Sequence, residues 1–570
     1  MLFLGEWCCR PNQKHIWKKL DYKIAKPFYP NLKTRLHYSQ KSDLIYDEII
    51  SLIPDHLNKI HQKSYDKRFW EILVGPFLKR YIRVVFNRYL TLKQLFHNYS
   101  LNETIHLKFD KNNFSIDTLS FIKLSDDDLW NHSLYIWLIN DFFADKVEII
   151  TKSIEINSKD NNLKKESDYD IKKGNMKNIV KYFLGIINKS ICNLSRGQEY
   201  FLYKTYLSKS SDFYLSLSLK QVPCRWESVP NVHFTKQSTQ VERLPFNNII
   251  NKKGGELHIA IENYLHRLMP EIYLENFLML EKEYENSNWP HSPKVIFTGN
   301  AFDLDEKFKF YTAKKTNKGT KYIVSQHGSV YGVNPFFSYT VEERTSDSFL
   351  TWGWKNKKNH VPGFCFNTIG RNLQASKKGG LLLLELILRK RLQIWDTHED
   401  HNVYMKNQLK FIKNLRDNIF NNTTIRLYSE QKRSFGDEHN IFKINFPNIT
   451  IDKGEKSFFK VVKNYRLIVT SYDSAGILEL LNMNIPVIAF WDKNGFDQVS
   501  NQASELYKEL EEVGILFYSP ETASEHINKI WINVSLWWNS KSVQNARRRF
   551  CLQYSSKSSH PIKELAGLLQ

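Results

Sequence analysis

The chain has 570 residues, 42% hydrophobic, 14% aromatic and 25% charged, a balance that excludes a disordered chain and supplies enough apolar side chain for sizeable cores. Lysine plus arginine is 81 against 60 for aspartate plus glutamate, and the resulting net charge of +21 suits nucleic acid, an anionic membrane or a phosphorylated substrate alike. The longest apolar stretch, 381–388, contains Glu385 and is followed at once by Arg389 and Lys390, far short of the roughly 18 residues a membrane span needs.

In chain order, residues 1–4 are a short apolar run ending at Gly5-Glu6-Trp7. They read as a first strand with a loop at its carboxyl end. The start, MLFLGEWCCR, lacks the basic leader and long apolar region of a secretory signal, so a cytoplasmic protein is expected. Residues 42–151 carry a helical pattern. Residues 152–178 lose their aromatics and turn to Ser, Asn, Asp, Lys and Glu, the composition of an exposed loop or inserted linker. Beyond it, strand-like and helix-like segments alternate. Residues 294–298, 322–326, 349–352, 381–388 (after Gly379-Gly380), 424–428, 467–470 and 486–491 read as strands, and 402–418 and 474–482 as helices. Such alternation implies parallel sheets covered on both faces, with ligands at the carboxyl ends of strands near the switch point. The six cysteines, Cys8, Cys9, Cys192, Cys224, Cys365 and Cys551, form no CxxC pair and read as buried thiols.

The stretch 466–491, RLIVTSYDSAGILELLNMNIPVIAFW, parses as strand, polar turn, helix, turn and strand. Thr470, Ser471, Asp473 and Ser474 cluster at the helix start, with Ala475 and Gly476 after them. Small residues there let a ligand approach free backbone N–H groups, and a helix N-terminus is a ready anion site. Glu479, in the second turn, is placed to accept hydrogen bonds from the hydroxyls of a ribose. The bland alternatives are an N-cap for Asp473 or Ser474 and a solvated Glu479.

This segment resembles the nucleotide-sugar half of GT-B-fold glycosyltransferases and the matching part of the UDP-N-acetylglucosamine 2-epimerases. Those proteins hold the diphosphate at a Ser/Gly-rich helix start and the ribose on a downstream Glu; here their Gly-Gly is Ala475-Gly476. A wider resemblance runs through LFLGEWC (2–8), RFWEILVGPFL (68–78), WNHSLY (130–135), the segment 215–226 ending QVPCRW, QHGSVYG (326–332), WGW (352–354) and SYDSAGILELLNMNIPVIAFW (471–491). In that order they resemble a transferase family of bacterial O-antigen and surface-polysaccharide gene regions.

The resemblance implies an α/β, GT-B-like fold of two Rossmann-like domains facing a cleft. It implies an N-terminal acceptor domain over 1–345, with a helical insertion at about 42–290, a C-terminal donor domain over 346–540 and a basic tail over 541–570. It implies transfer of a sugar from a nucleotide-sugar donor to an oligosaccharide or lipid-linked saccharide acceptor. No cofactor or metal is expected. A CMP-ulosonate (Kdo- or sialic-like) transferase and a same-fold nucleotide-sugar epimerase are the alternatives. Nucleic acid is not an expected partner, because the chain has no clustered basic–aromatic stripe or reading motif.

Two catalytic candidates follow. His327 comes after a strand and before Gly328, where the backbone passes close to a ligand. It suits a general base for an acceptor hydroxyl, or a donor to the ligand's phosphate or carboxylate, or a structural His in a tight turn. Glu342, Glu343 and Asp347 downstream either orient it or lie at the surface. Glu6 follows the first strand and suits an inverting base, a helix cap or an acceptor contact. Arg426, in the strand-like 424–428, is the candidate to neutralise a leaving diphosphate, or makes an ordinary salt bridge. Asp303-Leu304-Asp305 has the DxD form of metal-dependent sugar transferases but reads better as a helix opening. The tail, with Arg547-Arg548-Arg549, is either a structural helix or an anionic-membrane contact that makes the protein peripheral at the inner membrane face.

Overall fold

The computed structural model describes residues 1–10, 13–109, 114–153, 188, 190–226, 243, 255–386, 388–396, 401–428, 438–492 and 500–570. Most of the expected linker 152–178 lies outside them. The chain divides into two compact units. One comprises Met1–Lys41, Thr205–Ser211 and Ile323–Gln570, and the other Ser42–Lys204 and Asp212–Tyr322. The boundary expected at 345/346 thus falls inside the first unit.

The strands in chain order are β1 (Leu2–Phe3), β2 (Lys23–Ile24), β3 (Glu103–Lys108), β4 (Glu148–Ser153), β5 (Tyr200–Tyr203), β6 (Val295–Thr298), β7 (Lys321–Ser325), β8 (Ser348–Thr351), β9 (His360–Pro362), β10 (Gly380–Leu384), β11 (Thr423–Arg426), β12 (Thr450–Asp452), β13 (Tyr465–Thr470), β14 (Val487–Phe490) and β15 (Leu516–Phe517). All eight strands expected from the sequence are present, the one expected over 381–388 ending at Leu384. The short β1 pairs parallel with β2 in a two-stranded sheet of their own. Its two residues are too few to serve as the leading strand of a larger sheet.

The second unit is mostly helical. Its longest helix, Lys67–Asn98, holds the RFWEILVGPFL motif and is capped by Asp66, whose carboxylate accepts the Phe69 N–H at 2.7 Å. Phe69, Trp70, Leu73, Val74, Phe77 and Leu78 are almost wholly buried, so the motif is core. The helical pattern of 42–151 overlooks β3 and β4, which pair in parallel. Their exposed and half-buried side chains give weak alternation. β5 and β6 are also parallel. Asp305 caps the helix Glu306–Thr316 and accepts from Tyr203 at 2.9 Å, while Asp303 pairs with Arg80 at 2.7 Å. The DxD sequence is therefore a helix opening.

In the first unit β7, β8 and β9 run parallel. The larger sheet has the order β12-β11-β10-β13-β14-β15, and every pairing in it is parallel. Numbered within the sheet this is 3-2-1-4-5-6, the doubly wound dinucleotide-binding order, whose switch point lies between β10 and β13. The Leu run of β10 is fully buried, as a central parallel strand requires. Leu381, Leu383, Ile425, Leu467, Val469, Ile488 and Phe490 form one face of the core, with Tyr404, Phe411, Phe442 and Ile527 from the covering helices. Gly380 opens β10 where a methyl group would collide with the Asn422 carbonyl, so the neighbouring backbone excludes any side chain.

The basic helix Lys541–Tyr554 is a working part of this unit. Arg547 donates to the Leu481 carbonyl at 2.7 Å and Arg549 pairs with Glu509 at 3.1 Å. The chain after it donates from Ser556 N to the Trp352 carbonyl at 2.8 Å. The six cysteines are free; three are buried and three half-buried.

Candidate functional site

A cavity of about 760 Å³ opens at the carboxyl ends of β10 and β11 and against the helix Ala475–Asn482. It sits at the switch point because β10 and β13 diverge there into helices on opposite faces. Four sequence-derived candidates line it: Arg426, Ser474, Gly476 and Glu479. Ser474 is the N-cap position, but its side chain makes no capping bond. The positive end of the helix and its small residues thus face the cavity together.

Glu479 is 8% exposed and accepts from Asn367 Nδ2 at 2.7 Å. Burial raises its pKa, opposed by Asn367 and Arg371. The solvated alternative is excluded. Arg426 combines its two readings. It lines the cavity, but its guanidinium pairs with Asp452, its cross-strand partner on β12, and donates to the Lys456 carbonyl. Lys456, on the same cavity wall, supplies a further cation.

Ser471 and Asp473 are not among the lining residues. The Ser471 hydroxyl lies 2.8 Å from Tyr404 Oη and 3.4 Å from the Leu384 carbonyl, so it braces the wall from behind. Asp473 is half-buried, with its carboxyl pushed up to about 7 by desolvation, against the lowering effect of Tyr507. The folded state therefore holds this proton more tightly than the unfolded chain, and stability falls as pH rises from about 4 to about 7. Asp473→Asn removes that decline. It raises stability at pH 8 by about 1–2 kcal/mol, less than a fully buried shift would give because solvent screens the group. Urea titrations at pH 5 and pH 8 check this, and equal gains at both would exclude the ionisation.

Glu385 and Tyr404 escaped the sequence reading. Glu385 follows β10 directly, is 4% exposed and lines the cavity. Tyr404, on the helix His401–Lys413, donates to Glu385 Oε2 at 3.1 Å and accepts from Leu386 N–H at 3.0 Å. The signal available was a single acid inside an otherwise leucine-rich run. Asn402, two residues before Tyr404, donates to Glu6 Oε1. Glu6 lies in the short turn Glu6–Cys8, so this bond joins the first strand's loop to the helix that carries Tyr404.

His327 and Gly328 follow β7. A side chain at Gly328 would meet only the rim of the Tyr331 ring, so space rather than strain distinguishes this position. His327 Nδ1 lies 3.3 Å from Tyr331 Oη, which in turn donates to Glu342. Tyr206 stacks on the imidazole with ring centroids 5.9 Å apart. Desolvation pushes Glu342 up to about 7. Glu343 instead caps Thr340 N–H and lies 3.2 Å from His360. Gln326 fixes the loop by accepting from Trp352 N–H at 2.9 Å and Trp354 Nε1 at 2.8 Å. Thus QHGSVYG and WGW are one structural element. Gly332, at φ 73°, packs where any side chain would strike Trp354. Among the described residues no group of three or more His, Cys, Asp or Glu is arranged to hold a metal ion, and no helix is long and apolar enough to cross a membrane.

The family described as LIC12162 family transferase matches residues 1–569. No curated protein matches the chain. Similar solved structures include S. aureus MnaA with UDP, at 13% identity over 62% of this chain and 94% of that one, TM-score 0.34. Anabaena Alr3699/HepE in complex with UDP-glucose is similar at 9% identity over 65% and 98%, TM-score 0.34. Acinetobacter baumannii MurG is similar at 11% identity over 66% and 99%, TM-score 0.33.

Proposed function

This chain belongs to the LIC12162 family of transferases, and on that footing we propose that it is a glycosyltransferase whose nucleotide-sugar donor binds in the β10–β13 cavity. The observation that carries the reading is the coincidence, in one cavity at the switch point, of an uncapped helix start with small residues and a buried Glu in its second turn. The helix N–H groups and Ser474 receive the diphosphate, Lys456 and the Arg426 pair offset its charge, and Glu479 accepts from the ribose hydroxyls. Departure of the nucleoside diphosphate is assisted by these groups without a metal. His327 takes the acceptor proton, with Glu6 the second candidate for that task. The acceptor is a growing surface polysaccharide or O-antigen saccharide, free or lipid-linked, and the net charge of +21 favours an anionic inner membrane face.

A thermal-shift screen with UDP, GDP, CMP and dTDP tests the donor site. Stabilisation by UDP or GDP supports a hexose donor and by CMP an ulosonate donor, while no shift with any nucleotide removes the reading. Glu479→Ala is expected to weaken the stabilising nucleotide about 10–100-fold, the loss of one or two hydrogen bonds to a charged group. Titration calorimetry measures it, and unchanged affinity would return Glu479 to a purely structural role with Asn367.

A further inference from the structure

We propose that Glu385 is a ligand-binding residue of the cavity, meeting an anionic phosphoryl oxygen of the bound donor as a neutral carboxylic acid that donates a hydrogen bond from Oε1. The proposal deepens the donor-site reading above and rests on it for the identity of the ligand.

The hydrogen bonds around Glu385 treat its two oxygens differently. Tyr404 Oη accepts from Leu386 N–H at 3.0 Å and lies 2.8 Å from Ser471 Oγ and 3.1 Å from Glu385 Oε2. Ser471 Oγ also lies 3.4 Å from the Leu384 carbonyl, and either hydroxyl of the Tyr404–Ser471 pair can be the donor; Tyr404 Oη donates to Oε2. That oxygen is therefore an acceptor. Glu385 lines the cavity, and its Oε1 is buried with no hydrogen-bond partner among the described residues. An ionised carboxyl would leave a buried charge undonated at Oε1, whereas a proton there gives a donor waiting for an acceptor. Burial, helped by Glu438, pushes the group up to about 8, against the lowering bond from Tyr404.

The groups around it act as follows. From the helix His401–Lys413 come Tyr404 and His401, the latter 3.6 Å from Glu438. The helix Glu438–Asn445 brings Glu438, and the turn after β13 brings Tyr472. From the end of β11, Arg426 is committed to Asp452, and Lys456 and Glu479 lie on the same cavity walls. Among the described residues, none of these interactions places a cation on the Glu385 carboxyl. A neutral acid beside a helix start can accept an anionic ligand that a carboxylate would repel.

The test uses the full chain and its Glu385→Gln and Glu385→Ala variants, with UDP, GDP, CMP, dTDP and inorganic pyrophosphate as probes, at pH 7 and pH 9. Gln keeps an acceptor for Tyr404 and a donor toward the cavity, so it folds like the wild type even if Ala does not; melting curves confirm this. Wild-type affinity for the anion is expected to fall about tenfold from pH 7 to pH 9, as a group titrating at about 8 requires. Glu385→Gln is expected to bind within about twofold of wild type at pH 7 and to lose most of that fall. Gln that binds ten or more times more weakly than wild type at pH 7 would show that the charged form is needed, and would overturn the proposal. The same pH dependence in wild type and Gln would overturn it as well, as would wild-type binding in a folded Ala variant, which would leave Oε1 to a water. Pyrophosphate binding with the Glu385 signature but no nucleotide binding keeps this inference and removes the nucleotide-sugar reading. A nucleotide that binds without that signature does the reverse.

Discussion

His327→Ala is expected to lower kcat about 10²–10⁴-fold, the range for loss of a positioned general base, with little change in donor affinity or melting temperature. The hydrogen bonds of the imidazole bear on which ring atom would act in the proposed mechanism. Tyr331 donates its proton to Glu342, so its oxygen receives Nδ1–H from the imidazole 3.3 Å away. In the proposed mechanism that tautomer directs the acceptor proton to Nε2, and the chain His327–Tyr331–Glu342 would stabilise the resulting imidazolium. Because Glu342 is raised to about 7, it becomes a full acceptor only above that pH, and kcat rises through the same window. Tyr331→Phe removes the link and lowers kcat about tenfold without touching donor binding. Single-turnover transfer with the donor identified by the nucleotide screen measures all three. A His327→Ala enzyme that keeps the wild-type rate would assign the proton to Glu6 or to water, and the imidazole to loop structure.

Gly380→Val is expected to destabilise the first unit by about 3 kcal/mol or more, the upper range for forcing atoms into a packed interior. Relief is costly, since the obstructing atom is the Asn422 backbone carbonyl, which lies beside the start of β11. Moving it disturbs the pairing of Leu381 with Thr423 and shifts the strand end that presents Glu385. Gly197→Ala, where an added methyl meets nothing within 4 Å, is the matched control and changes stability by no more than about 0.5 kcal/mol. Urea unfolding separates them. Equal midpoints would mean that β10 tolerates a side chain at its first residue, contrary to the close backbone approach.

The strands that carry the larger sheet were legible because a central parallel strand buries both faces. Leu381–Leu384 and residues 467–469 and 487–490 therefore show as unbroken apolar runs. Short edge or partly exposed strands such as β9, β12 and β15 give no such run, and β3 and β4 lie in a helix-like composition. At the site, Ser474, Gly476 and Glu479 were legible together because strand, turn and helix are contiguous in sequence. Ser471 and Asp473 share that stretch, yet a rotation of the backbone by one residue turns the first to Tyr404 and sets the second beside Tyr507. Periodicity does not resolve that rotation.

Length, composition and charge excluded disorder and a membrane-spanning helix among the described residues, and local patterning was enough to establish an α/β chain with its motifs at strand ends. Those properties depend on nearest neighbours along the chain: apolar runs, capping residues and the small residues of a helix start. Only tertiary structure could decide the roles of Glu385, Tyr404 and Glu342. Glu385 and Tyr404 are 19 residues apart in sequence and form one hydrogen-bonded pair, and the carboxyls of Glu385 and Glu342 owe their raised pKa chiefly to burial, which only the folded chain provides. The +21 charge was the least informative feature for the same reason. It is a sum over the chain, whereas the chemistry depends on which charges are buried, which are paired and which line the cavity.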